Sequence, residues 1–149
     1  MTIPEGWEPF PTSSPFNTAV GPYYYQLQGE SLVMGLEVET RHCNTGGTLH
    51  GAMFSALADI ALGNSIGLAL SEGSAEAGVA ARKDGAPLVS FATINLSVDY
   101  AGAAKVGDWV EMHTEVQKVG GTLAYANGYL MNGNDRIGRV SGIYRLFSR

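Results

Sequence analysis

Two periodicities divide the chain. In YYYQLQGESLVMGLEVET, residues 23–40, Leu32, Met34, Leu36 and Val38 alternate with Val33, Gly35, Glu37 and Glu39. That alternation predicts two strands around a turn at Gly29–Glu30. GAMFSALADIALGNSIGLAL, residues 51–70, is instead apolar around nearly the whole circumference of a helix. It predicts a helix buried on all sides rather than laid on a surface. Period two returns in LVSFATINLSVDY (88–100), with Ser90, Ala92, Ile94, Leu96, Val98 and Tyr100 on one face. In DWVEMHTEVQKV (108–119), Trp109, Glu111, His113, Glu115 and Gln117 oppose Val110, Met112, Thr114, Val116 and Lys118. TLAYANGYLM (122–131) follows Gly120–Gly121, a signal for a tight hairpin turn. NGND (132–135) turns into a last strand, RIGRVSGIYRLF (136–147). Residues 41–51 read as a glycine-punctuated loop, and 71–87 as a polar, mobile connection.

The order is two strands, one long buried helix, then four antiparallel strands, after an irregular arm over residues 1–22. One domain over residues 23–149 is expected, α+β in class, with a curved antiparallel sheet of five to six strands wrapped around the helix. A helix apolar all round calls for a second subunit on the side its own sheet leaves open. Composition points the same way, because charged residues make up only 15% of the 149, against the usual quarter. The net charge of -5, with no basic stripe, argues against a nucleic-acid partner. A lone cysteine, Cys43, allows no internal disulfide. With an N-terminus that has neither a basic nor an apolar signal region, it suggests a cytoplasmic protein. Residues 52–70 could be taken for a membrane span carrying a Gly63-x-x-x-Gly67 motif. However, Asp59 would lie near the bilayer centre and no Lys or Arg cluster flanks the segment.

Three patterns could carry chemistry. GNSIG (63–67) matches the G-x-S-x-G of serine hydrolases. That motif requires a strained strand-to-helix turn, whereas Ser65 lies within a helix. Small residues admitting a close neighbouring backbone account for it better. His42, His50, His113 and Asp59 lack the i, i+3 or i, i+4 spacing of a metal site, so no metal is expected. The third pattern is the helix start. Gly46, Gly47 and Gly51 let a ligand approach the backbone. The N–H groups there point outward at the positive end of the helix dipole. These are the parts of an oxyanion hole, with Asp59 as general base or nucleophile. The competing reading is that Asp59 caps or pairs within the core. Gly51 and Asp59 are separated by about 12 Å of helix, so one helix cannot offer both to one carbonyl. Two antiparallel helices related by a two-fold axis can, which predicts two active sites shared across a dimer interface.

NTGGTLHGAMFSALADIALG, together with VDYAGAAKVGDWVEM, resembles the N-x-x-G-x-x-H-G-G…D signature and following strands of hotdog-fold acyl-CoA thioesterases. These form the phenylacetate-degradation (PaaI-like) branch of the hydroxybenzoyl-CoA thioesterase superfamily. The resemblance runs from about Gly21 to the C-terminus. It implies a hotdog fold, a homodimer or dimer of dimers, and hydrolysis of an acyl-CoA to an acid and coenzyme A. No cofactor is expected, coenzyme A being part of the substrate. The Gly51 amide would polarise the thioester carbonyl, and Asp59 of the other subunit would activate water or attack directly. Asn44 and His50 would shape the site, with Asn44 holding water or the carbonyl. Thr93 would supply the hydroxyl that such enzymes often carry after the helix. Alternation puts Thr93 opposite the Ala92/Ile94 face, so this role requires a bulge or an interface position. Gly120, Gly121 and Thr122 mark where the pantetheine would pass. Arg82, Lys83, Lys105, Lys118 and Arg136 are candidate phosphate partners or plain solvated charges. Ala52 stands where the signature has its second glycine and would narrow the acyl pocket. Met53, Phe54 and Phe91 either line that pocket or fill the core. A hotdog that binds acyl-CoA or a lipid-like ligand without turnover is the alternative function, and a purely structural dimer a third.

Overall fold

The computed structural model describes residues 3–12, 14–71, 73–83 and 91–147. Its strands are β1 (Glu8–Pro9), β2 (Tyr24–Gln28), β3 (Ser31–Glu37), β4 (Phe91–Tyr100), β5 (Trp109–Val119), β6 (Leu123–Asn132) and β7 (Asp135–Leu146). The helices are α1 (Pro15–Val20), α2 (Gly51–Leu70) and α3 (Ala75–Lys83), with a 3-10 turn at Thr40–His42. All seven strands join one antiparallel sheet in the order β1-β2-β3-β5-β6-β7-β4. The sheet curls around α2, which gives the hotdog arrangement. Three strands therefore lie on one side of the β3–β5 junction and four on the other, with β1 and β4 at the two edges of the sheet among the described residues.

Three expectations need correction. The sheet has seven strands rather than five to six, because the arm expected to be irregular contributes β1, paired with Tyr24 and Tyr25, and also holds α1. Ser14 starts α1 by accepting from the Asn17 amide. The 71–87 connection carries a helix, α3, whose first amides are satisfied by Glu30 and Ser74. Residues 84–90, which include Ser90 and the expected start of β4, and the Lys83 side chain lie outside the described residues. The third correction concerns Gly120–Gly121. The hairpin turn is there, yet neither glycine takes a positive φ, whereas Gly29 (φ +64°) and Gly133 (φ +60°) do at the other two hairpins. A two-residue primed turn requires that conformation, so the glycine pair located the turn but not its type.

Helix α2 is sealed along residues 61–68, every one of which is buried. Leu57, Leu62 and Ile66 are fully enclosed, and each such side chain contributes about 1.5–3 kcal/mol of burial. Length and composition alone would let α2 cross a membrane, but here most of it is buried inside the fold. The polar side chains buried on α2 are satisfied. Ser65 Oγ donates to the Ala61 carbonyl at 2.8 Å and meets Thr114 Oγ1 at 2.6 Å, while Asn64 donates to the Ile60 carbonyl. Ser65 is therefore a buried bridge between α2 and β5. Gly63 admits the Phe91 ring, which a Cβ there would meet at 2.9 Å. The close neighbour is thus a side chain rather than the backbone expected.

His42 fixes the arm to the body. Its Nδ1 accepts from the Glu39 amide at 3.0 Å and its Nε2 donates to the Val20 carbonyl at 2.8 Å, which is the neutral tautomer. Burial, the largest influence, lowers its pKa below the usual 6.5. A histidine kept neutral in the native state stabilises fully above its unfolded pKa and loses that contribution as pH falls below it. Wild type is therefore expected to lose melting temperature more steeply below pH 6.5 than His42→Gln. Parallel slopes in thermal melts would assign the acid sensitivity elsewhere.

Candidate active site

One face of the N-terminal half of α2 is left uncovered. Ala52 is exposed, and Ser55, Ala56, Asp59 and Ile60 are half-buried. At spacings of three and four residues they form a single stripe down one helical face. Gly51 stands at the head of this stripe and Asp59 halfway along it.

At the head, His50 is the N-cap. Its Nδ1 accepts from the Ala52 amide at 2.9 Å. The cap takes the second amide of the helix, and the first, that of Gly51, has no acceptor among the described residues. Helix geometry leaves that donor pointing away from the helix along its axis. Ala52 continues the helix with no disturbance to Gly51. Beside them Tyr100 reaches from the end of β4. Its hydroxyl donates to the Gly51 carbonyl at 3.2 Å and lies 2.8 Å from Ser55 Oγ. A pocket of about 210 Å³ opens there, walled by Gly51, Leu49, Phe54, Tyr100, Ala104 and Ile137. A larger cavity, about 330 Å³, lies toward the far end of α2 beside Ser65 and Thr114, away from both Gly51 and Asp59.

Halfway along, Asp59 Oδ1 accepts two hydrogen bonds, from Thr93 Oγ1 at 2.9 Å and from the Tyr144 hydroxyl at 3.0 Å. Oδ2 has no partner among the described residues. Thr93 gets there through a bulge. Between Thr93 and Asn95 the β4–β7 register shifts by one residue, which moves side chains to the opposite face. Phe91 and Thr93 point inward before the shift; Leu96, Val98 and Tyr100 do so after it. Ile94 is the residue left over, at 55% exposed. The single apolar face read from Ser90 to Tyr100 is thus split, and the exception that Thr93 required is present. Asp59 is neither a helix cap nor half of an ion pair among the described residues.

The remaining candidates fall elsewhere. Asn44 works within its loop, its Oδ1 accepting from the Gly46 and Thr48 amides and its Nδ2 donating to Thr48 Oγ1. Gly120, Gly121 and Thr122 form the β5–β6 turn, with the Thr122 carbonyl accepting from the Leu146 amide. Met53 and Phe54 are core residues, and Phe91 packs edge-on against Tyr144. Arg82 is partly buried over the Phe10 ring, 5.5 Å away, and Arg136 lies 3.8 Å over Tyr129 on the outer face of the sheet. Lys105 and Lys118 are exposed. Among the described residues no three His, Cys, Asp or Glu side chains gather as metal ligands would. The sequence reading missed Tyr144 and the Tyr100–Ser55 pair. Tyr144 left one trace: a tyrosine at an inward position of β7, between Gly142 and Leu146, carries a hydroxyl that needs a buried partner.

Residues 46–138 match the thioesterase superfamily. The chain is similar to a Pseudomonas aeruginosa protein provisionally named an esterase, 35% identical over 98% of both chains. It is also similar to mouse acyl-coenzyme A thioesterase 13, 31% identical over 69% of this chain and 62% of that one. Among solved structures, zebrafish thioesterase superfamily member 2 aligns with a TM-score of 0.72 at 26% identity, covering 91% of this chain and 89% of that one. The E. coli PaaI protein of the phenylacetic acid degradation operon shares the fold, with a TM-score of 0.69 at 15% identity and coverage of 91% and 86%.

Proposed function

The chain belongs to the thioesterase superfamily, and from that membership we propose that it hydrolyses an acyl-CoA thioester at two sites shared across a homodimer. Thioester hydrolysis is the coarse activity; the coenzyme A carrier and the shared site are the finer reading. The observation that carries it is the pairing, on one uncovered helical stripe, of the free Gly51 amide with a carboxylate held by two hydroxyls. Their separation of about 12 Å along the helix puts them out of reach of one carbonyl within a single chain. An antiparallel second copy of α2 would bring the Gly51 amide of one protomer beside Asp59 of its partner. Small residues at positions 52, 55 and 56 permit that close approach. The β4 edge alongside is ten residues long and unpaired on its outer side among the described residues. Its Ile94 and Tyr100 are 55% and 56% exposed, and apolar surface of this kind on a free edge invites pairing.

In this arrangement the Gly51 N–H donates to the thioester oxygen as negative charge develops on it. Asp59 either takes a proton from the attacking water or attacks the carbonyl itself. By the water route the C–O bond forms, the C–S bond breaks, and the thiolate leaves with the proton that Asp59 took. By the direct route the C–S bond breaks as Asp59 is acylated, and the thiolate takes its proton from the water that follows. The acyl-aspartate of the second route is then opened by water to the same acid. The test is a thiol-release assay across aliphatic and aromatic acyl-CoAs. Turnover of at least one is expected. Binding of the panel without any release of thiol would favour a non-catalytic acyl-CoA-binding protein instead.

A further inference from the structure

We infer that Tyr144 is a positioning residue for this hydrolysis, holding Asp59 so that Oδ2, and not Oδ1, is the oxygen that reacts. The inference rests on the proposed role of Asp59 and adds the group that sets its orientation. Tyr144 is fully buried, and a hydroxyl in such a place is costly unless it finds a partner. It finds Asp59 twice, the carboxylate Oδ1 at 3.0 Å and the backbone carbonyl at 3.3 Å. The hydroxyl thereby grips both the side chain and the main chain of one residue, which restricts rotation of the carboxylate.

Thr93 and Tyr144 are direct partners across β4 and β7. Both approach the same oxygen because the bulge after Thr93 has turned its side chain inward. With two donors on Oδ1, that oxygen has lost much of its power as base or nucleophile. Oδ2 keeps its lone pairs free. Burial, reinforced by the Asp59 charge and hydrogen bond, pushes the Tyr144 phenol well above its usual range. It therefore stays protonated, and a donor, at any pH where the enzyme works. The groups facing Asp59 are the neutral Thr93 from β4 and Tyr144 from β7; no cation pairs with it among the described residues. The local field is thus set by these two hydroxyls.

Tyr144→Phe keeps the ring that fills the core and removes only the donor. Its kcat is expected to fall about ten-fold with KM changed by less than about two-fold. The acid limb of its kcat/KM profile should move up by about one pH unit, since a donor to the ionised carboxylate is gone. A 3-fluorotyrosine placed at position 144, a stronger donor of nearly the same shape, should move that limb down. A purely structural role would lower stability and rate together and leave the limb in place, and that outcome for both proteins overturns the inference. If Tyr144→Phe does not fold, the fluorotyrosine protein decides alone. Failure of the underlying reading looks different: Asp59→Asn would then turn over like wild type.

Discussion

Asp59→Asn is expected to lower kcat by about 10²- to 10⁴-fold, the range a positioned base supplies, while the protein melts at close to the wild-type temperature. Stability should hold because the asparagine oxygen can still accept from Thr93 Oγ1 and the Tyr144 hydroxyl, both within 3.0 Å of Asp59 Oδ1. The change is nearly isosteric, and the residue is only half-buried. What it loses is the second anionic oxygen, the one that would take a proton or attack. Thiol release by purified Asp59→Asn, with the melting curve alongside, is the measurement. Turnover equal to wild type would remove Asp59 from the chemistry altogether.

Gly51→Pro is expected to cost about 10²- to 10³-fold in kcat, the loss seen when one oxyanion donor is deleted. Proline is the substitution that isolates the N–H. At the first position of a helix its fixed φ suits the backbone, and no intrahelical hydrogen bond is broken. The residue before a proline must be extended, and His50 already is, at φ −64° and ψ 137°. A side chain at position 51 would meet Tyr100 at 3.4 Å, an ordinary contact. The two variants together address the shared site. After subunit exchange, a dimer of one Asp59→Asn and one Gly51→Pro chain carries one intact site and one with both defects. Activity should recover toward half of wild type. Proven exchange with no recovery would mean that each chain supplies its own donor and base.

Much of this site could be read from the residues. Asp59 stands out because a carboxylate inside an apolar helix is expensive without a purpose. The motif around His50 and Gly51 marks the helix start, and His50 caps it as the residue order suggests. The rise of a helix, about 1.5 Å per residue, alone separates donor from base. What escaped were partners distant in sequence. Tyr144 lies 85 residues beyond Asp59, and nothing local to either predicts their meeting. Asn44 fits the motif, yet its side chain bonds within its own loop.

The sequence by itself determined that one apolar helix is wrapped by antiparallel strands, because burial and the periods of helix and strand are written in the order of side chains. It also determined which residue of that helix carries charge and where its first free amide lies. Tertiary structure alone decided the strand count, since β1 is two residues long and exists only by pairing with β2. It decided the hairpin geometry at Gly120, where backbone angles answer to the strands on either side. Above all it decided the face of Thr93. A bulge is a property of two strands in register, and β4 slips by one residue only against β7. That slip puts Thr93 and Tyr144 on one oxygen of Asp59, a convergence that exists only once both strands are in place.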